Sequence, residues 1–586
     1  MMKTKKFNIN LLKTSLLFLT FNLFFMSCND EWLEPKPLSF LTPENTFTNK
    51  EGVNSALNNC RSLFRKEFAQ RNPNYLPDWY LTDLAITRSG GIRNAEQQML
   101  PSGAGETEQS WSSGFEGVNF ANLVISRTPE IDEDEDVKNQ LLAEGYFHRA
   151  YWYYKLIHQF GNVPLILEET TSPKLDFYTS TRDRILRIMK QDLEFAVQWL
   201  PVTAPAGAVS KAAGKHLLTR YHMAMGDFDA AIATATDVIE NSGHRLMTER
   251  FGVHKNDPEK NVYWDLFQRE NFSLPENKEG ILISQDKYLM DGGTGGSDLM
   301  RTFVPAWYNS AMKDPAGKSG TTDGVAGEPL ISRTGRGIGK YKMSNYFARE
   351  VWDDANDVRH QYPNWFPMDS IYYNNPKSKY YGQPVQQQYC TDTLRCWDPF
   401  MYCKVYVYQD DKPPGSGLKP TGGTTDWYIF RLAETYLLRA EAYVWKDNFA
   451  AAAADVNAIR ARVNAAPLSP NQISIETILD ERARELFLEE LRKSELTRIS
   501  FLMAKLNLRG YSIENISESN FWYDRIMEKN HFYRTNFVYG AYTYKMLPHN
   551  IFWPVPEDAI ASNSQGRINQ NYGYVGFEDN VTPIDE

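Results

Sequence analysis

The chain has 586 residues, with 63 Lys+Arg against 73 Asp+Glu and a formal net charge of −10. A composition of 42% hydrophobic and 23% charged residues excludes global disorder. The acidity, with no basic stripe visible, argues against a nucleic-acid partner. Aromatic residues reach 13%, enough flat apolar surface for extensive stacking.

Residues 1–27 carry Lys3, Lys5, Lys6 and Lys13 and no acid, followed by an apolar run through Leu16, Leu17, Phe18, Leu19, Phe21, Leu23, Phe24 and Phe25. A positive stretch before an apolar one is the layout of an export signal, and the run is too short and interrupted to span a bilayer comfortably. It ends at Met26-Ser27-Cys28, which resembles a bacterial lipobox. Residues 1–27 are therefore expected to be a lipoprotein signal peptide, with Cys28 as the lipidation site. Asn29-Asp30-Glu31 resembles an acidic surface-export tag, and Pro35, Pro37 and Pro43 punctuate a lipidated tether over 28–48. Cys390, Cys396 and Cys403 lack the close pairs of a structural zinc site. Free thiols and one local disulfide both fit their spacing in an oxidising compartment.

Thr48-Asn-Lys-Glu51 reads as a capping box, and Val53, Ala56, Leu57, Cys60, Leu63 and Phe64 follow at helical spacing. Residues 72–110 are loop-like. Helices are expected over 111–126, over 134–159, which is stopped by Gly161-Asn162 with Pro164 beyond, and over 181–199. Two segments then resemble each other: 217–239, containing Met225-Gly-Asp-Phe228, and 433–459, containing Lys446-Asp-Asn-Phe449. Each reads as a helix, a tight polar turn with an aromatic, and an Ala-rich helix, like a tetratricopeptide pair. Over 474–505 a charged helix is expected, with Ile478, Leu479, Leu486, Leu491 and Leu496 inside and alternating Glu and Arg on the solvent face. The chain thus divides into a helical scaffold at about 49–245 and 426–510, a loop-rich insert at about 246–425, and an irregular C-terminal part at about 511–586. The fold class is mostly α, with tetratricopeptide-like helix pairs forming a right-handed scaffold.

Several segments in order resemble one family. These are Cys28-Asn-Asp; residues 111–122, with Phe115 and Val118 in the family's Tyr and Ile positions; and 143–154 leading into Phe160-Gly-Asn-Val-Pro164. Further on come Asp192-Leu-Glu-Phe-Ala196, Arg431-Leu-Ala-Glu434, Leu437-Leu-Arg-Ala-Glu441, Ile478-Leu-Asp-Glu-Arg482, Phe552-Trp-Pro-Val-Pro556 and Asn569-Gln-Asn-Tyr-Gly-Tyr574. The pattern resembles the SusD/RagB lipoproteins of the Gram-negative outer membrane. Arg492-Lys-Ser-Glu495-Leu496 departs from the usual Arg-Trp-x-Asp-Leu. The resemblance implies a surface-exposed lipoprotein anchored through lipid, with four tetratricopeptide-like units. It implies a lid over a SusC-like TonB-dependent transporter, an oligosaccharide ligand or a peptide as in the RagB branch, no cofactor and no catalysis.

Glycan binding needs flat apolar faces for C–H groups and planar polar groups for hydroxyls. Loop aromatics are the candidates: Trp79 and Tyr80 with Asp83 and Arg88; Arg301 with Trp307 and Tyr308; and Trp352 with Trp365, Phe366, Tyr372 and Tyr373. Trp111, Trp152 and Trp445 fall on helix faces and are assigned to the core. HExxH, GxSxG and Walker A patterns are missing from the sequence, while a carboxylate pair for glycoside hydrolysis stays open as a weaker reading. Residues 291–298 could hold Ca²⁺, but the Gly-rich run is better read as a plain loop.

Overall fold

The computed structural model describes residues 47–68, 76–103, 105–290, 292–293, 296–324, 329–407, 409–412 and 419–586. The signal peptide, Cys28, nearly all of the tether, and Asp291, Thr294 and Gly295 of the Gly-rich run lie outside them. Among the described residues no helix is long and apolar enough to cross a membrane.

Consecutive helices pack side by side. They are α1 (Lys50–Phe68), α2 (Glu106–Arg127), α3 (Glu135–Phe160), α4 (Arg182–Trp199), α5 (Lys211–Met225), α6 (Phe228–Asn241), α7 (Leu432–Trp445) and α8 (Phe449–Arg462). Each touches the next, α6 passing to α7 across the insert. Short polar caps set their starts: Thr181, Ser210, Asp227 and Asn448 each accept a backbone N–H three residues on. The first helix is capped one residue later than the sequence suggests, by Asn49 Oδ1 accepting from Gly52 N at 3.0 Å. The two look-alike segments are two helix pairs that face each other. Phe228 stacks on Trp445 with centroids 5.8 Å apart and planes 14° off parallel, and small residues such as Ala231, Ala235 and Ala442 are fully buried between them.

The expected single helix over 474–505 is two, α9 (Ile475–Leu486) and α10 (Arg492–Lys505). The chain breaks at Leu488, which sits at φ +66°. Its charges are not on a solvent face: Glu481, Arg482, Arg484, Glu485, Arg492, Glu495 and Arg498 are all buried. They pair with one another and with the insert. Arg359 binds Asp357, Glu481 and Glu485 at 2.6, 2.8 and 2.9 Å. Arg431 binds Glu489, Glu279 and Glu485 at 2.5–2.7 Å, and Arg498 binds Glu441 at 2.6 Å. Buried charges persist only when paired in this way.

The insert is anchored by two short antiparallel ribbons. Strand β1 (Ala85–Thr87) pairs with β3 (Tyr341–Met343), and β2 (Gly280–Ser284) pairs with β4 (Trp427–Arg431), Ser284 opposite Trp427. Cys60, Cys396 and Cys403 are buried free thiols, and Cys390 is a half-buried one.

Candidate ligand-binding site

Where the insert leaves and rejoins the scaffold, two adjoining cavities open. One, of about 370 Å³, is walled by Trp264, Phe267, Tyr402, Tyr406, Gln268 and Arg269 among others. The second, of about 430 Å³, is lined by Ser273, Asp286, Lys287, Tyr288 and Asp426, and shares Arg269, Glu270 and Thr425 with the first. Asn261 starts the short helix Val262–Leu266 by accepting Trp264 N at 3.0 Å. Trp264 lies 5.6 Å from Tyr402, with planes 30° apart, and the Lys260 ammonium sits 4.4 Å from its ring centre.

The tyrosines are set by backbone carbonyls on the next helix, Pro329–Thr334. Tyr402 donates to Arg333 O at 2.6 Å and Tyr406 to Ser332 O at 2.7 Å. Arg269 grips Asp410 through two bonds of 2.7 and 2.9 Å. That bidentate bond holds the Asp410 carboxyl below its ordinary range and raises the guanidinium. Burial pushes the Asp426 carboxyl up while Ser273 Oγ donates to it at 2.5 Å. Aromatic walls beside planar polar groups suit a ligand of polar rims and apolar faces.

On the other side of the Pro329–Thr334 helix lies a second group. Arg301 donates to Arg336 O at 2.8 Å, and Arg88 donates to Gly339 O at 2.7 Å. Arg336 covers the Tyr308 ring at 4.6 Å and pairs with Asp323 at 2.6 Å. The fold therefore brings together Arg88, Arg301 and Tyr308 from two separate sequence clusters.

It does not bring the expected tryptophans there. Trp79 is 1% exposed, Trp307 0% and Trp365 3%, and none of them lines either cavity. Trp79 sits on the helix Pro77–Tyr80, not in an open turn, and meets Phe487 edge-on at 5.2 Å. Trp307 donates to Thr334 Oγ1 at 3.0 Å. Half-buried Trp352 stacks on His360, centroids 4.6 Å apart. Tyr80 is buried, hydrogen-bonded to Glu106 and stacked on Tyr341 at 5.3 Å. Asp83 is fully buried between Arg492 and Arg525, each at 2.7 Å. Trp79, Tyr80, Asp83, Trp307 and Trp365 are thus buried in the framework, against the expectation that they face a ligand. Trp264, Arg269, Tyr288, Tyr402 and Tyr406, which line the two cavities, are not among the residues that the sequence singles out. The available signals were the Asn261 cap and the four-residue spacing of the two tyrosines.

A stack of helix pairs carrying a loop-built cleft of aromatic and cationic side chains defines a binding protein on a repeat scaffold. Residues 288–574 match the family model described as "SusD family", and residues 31–221 match one described as "Starch-binding associating with outer membrane". Together these cover most of the chain, which belongs to the SusD family. A "SusD-like protein P2" of Formosa agariphila is 27% identical over 236 residues, a match covering 39% of this chain and 46% of the relative. The chain thus spans about half the length of that relative. A "Laminarin binding SusD-like protein" superposes with TM-score 0.62 and 18% identity, over 90% of this chain and 100% of that one. A crystal structure with xylogluco-oligosaccharide does so with TM-score 0.60 and 19% identity, over 88% and 98%. At these identities the superpositions show the fold.

Proposed function

We propose that the protein captures oligosaccharides at the outer-membrane surface and passes them to a SusC-like TonB-dependent transporter, without catalysing a reaction. Lipid on Cys28 holds it at the membrane in this reading. Family membership supports the role, and the relatives solved as laminarin-binding or with xylogluco-oligosaccharide support a glycan as ligand. The observation that carries the reading is the pair of joined cavities, walled by Trp264, Tyr402, Tyr406 and Tyr288, with the Arg269–Asp410 pair on the rim.

The test is calorimetry of residues 29–586 against panels of oligosaccharides and peptides. Tyr288, 49% exposed, and half-buried Tyr406 can be truncated without opening the core. Tyr288→Ala and Tyr406→Ala should each weaken glycan binding by about fivefold to tenfold, the worth of one lost ring contact. Glycan binding that both variants leave unchanged would move the site elsewhere. Binding of peptides alone would replace the sugar by a peptide, and release of reducing sugar would make the protein a hydrolase.

A further inference from the structure

Away from the twin cavities, charge is unevenly spread. Although the chain is acidic overall, residues 329–349 carry Arg333, Arg336, Lys340, Lys342 and Arg349 and no Asp or Glu. The fold adds more cations to this stretch. Arg88 holds the carbonyl of Gly339, Arg93 donates to Arg88 O at 3.3 Å, and Arg301 holds the carbonyl of Arg336. Arg395 O receives the N–H of Ala306 at 2.9 Å, beside the same segment. The basic stripe that the linear sequence hides is assembled from four chain segments.

The acids of this face are already engaged. Asp323 takes Arg336 and Lys419, Glu106 takes Lys340, and Asp398 takes Lys342. Among the described residues, Arg88, Arg93, Arg301, Arg333 and Arg395 have no ion pair, whereas buried arginines of the scaffold such as Arg359, Arg431, Arg492 and Arg498 meet a carboxylate within 3 Å. A guanidinium has five N–H donors, and one or two carbonyl bonds leave donors over. Like charges held together without counter-charges repel, and an anionic ligand relieves that repulsion while accepting paired N–H bonds.

We infer that this face selects an anionic glycan, one bearing carboxylate or sulfate groups that its unpaired arginines, Arg93 over Tyr542 among them, receive. The inference rests on the glycan-capture reading and names its substrate class. Arg93 lies flat over Tyr542 at 3.3 Å, and Arg336 covers Tyr308, so cation and ring are presented together. Sugars with charged substituents need that combination, a flat face for the ring and a forked donor for the charge.

The experiment titrates the full chain with an oligogalacturonate, a sulfated galactan oligosaccharide and neutral laminari-oligosaccharide, at low and moderate salt. At least one anionic sugar should bind about tenfold or more tighter than the neutral one, and its affinity should fall severalfold with salt. The uronate and sulfate arms tell the two anions apart. Arg333→Gln and Arg93→Gln should weaken anionic binding by about threefold to tenfold, the loss of a charge-assisted bond. Their melting temperatures should match the parent. Arg88→Gln, which also removes a backbone clasp, is read only after its melting temperature is matched. Neutral sugar bound as tightly and without salt dependence would overturn the inference and leave glycan capture standing. No binding by any sugar would overturn both. Equal affinity for a single-stranded DNA probe would show sequence- and sugar-blind attraction and also overturn the inference.

Discussion

Asp83 accepts from two buried arginines, Arg492 and Arg525. Burial alone would raise its carboxyl; the two guanidinium groups override that and hold it at about 2. Asp83→Asn keeps the shape and removes the charge that Arg492 and Arg525 share, leaving them Glu490 at 3.5 Å and Asp480 at 2.9 Å. Its unfolding free energy should fall by about 3–5 kcal/mol, measurable by denaturant titration. Trp79→Ala should behave similarly, at a cost of about 3–5 kcal/mol from lost burial and the cavity left behind. Any effect on sugar binding should disappear once that loss is corrected for. At this scale the sequence was hardest to read. Trp79, Trp307 and Trp365 have the neighbours of loop residues, and local composition carries no record of which way a short segment folds. The reverse error came from Glu481, Arg482, Arg484 and Glu485. A run of charges ordinarily marks a wet surface, and only the partners, such as Arg359 at 126 residues from Glu485, reveal that these are inside.

Helices α2 and α3 touch through a glycine. A Cβ at Gly117 would come within 2.2 Å of the Trp152 indole, and one at Gly114 within 2.6 Å of Leu156. Alanine is the better helix former by about 1 kcal/mol, so propensity alone says that Gly117→Ala stabilises. Packing says the opposite, because the indole is fully buried and has nowhere to retreat. The variant should melt lower than the parent in a thermal scan; an unchanged or raised melting temperature would show that the helices can separate. Elements were the most legible level. Periodicity and caps located α3 and α4 to within a residue or two, and two turns with the same chemistry, Asp227-Phe228 and Asn448-Phe449, marked the helix pairs. The break between α9 and α10 was hidden because Phe487 and Leu488 continue an apolar pattern, and their turn serves tertiary contacts.

Over the whole molecule the buried ion pairs set a pH response. Glu144, Glu434 and Glu481, like Asp83, would be raised by burial but are held at about 2 by hydrogen bonds and charge from their partners: His148 and Arg61, Arg220 and His216, and Arg359, Arg484 and Arg460 in turn. Folded values below the unfolded ones mean that this stabilisation is complete above the ordinary carboxylate range, near pH 4, and is lost as pH falls through about 2. The melting temperature should therefore begin to fall below about pH 6.5, where buried His148, His158 and His216 resist protonation that the unfolded chain accepts, and drop steeply below pH 4 as these carboxylates are neutralised. A flat profile down to pH 2.5 would contradict the role given to these pairs. Chain-level organisation, helical scaffold with a long irregular insert, was readable from composition and from family resemblance, whereas the surface charge was not, because Arg88, Arg301 and Arg395 join the 329–349 stretch only through folding. The ribbon of β2 and β4 has one further consequence. Because Ser284 and Trp427 are cross-strand neighbours, residues 285–426 depart and return at one fixed doorway, and chain length between such fixed ends costs little. Evolution can rewrite much of that excursion while the repeat stack stays as it is, provided that Arg359 and Lys404, which neutralise Glu481, Glu485 and Glu489 inside the scaffold, are kept and that the Ala85–Thr87 edge, which pairs with it through β3, is rewritten in step. A transplant of binding preference between relatives should therefore carry both pieces as one cassette.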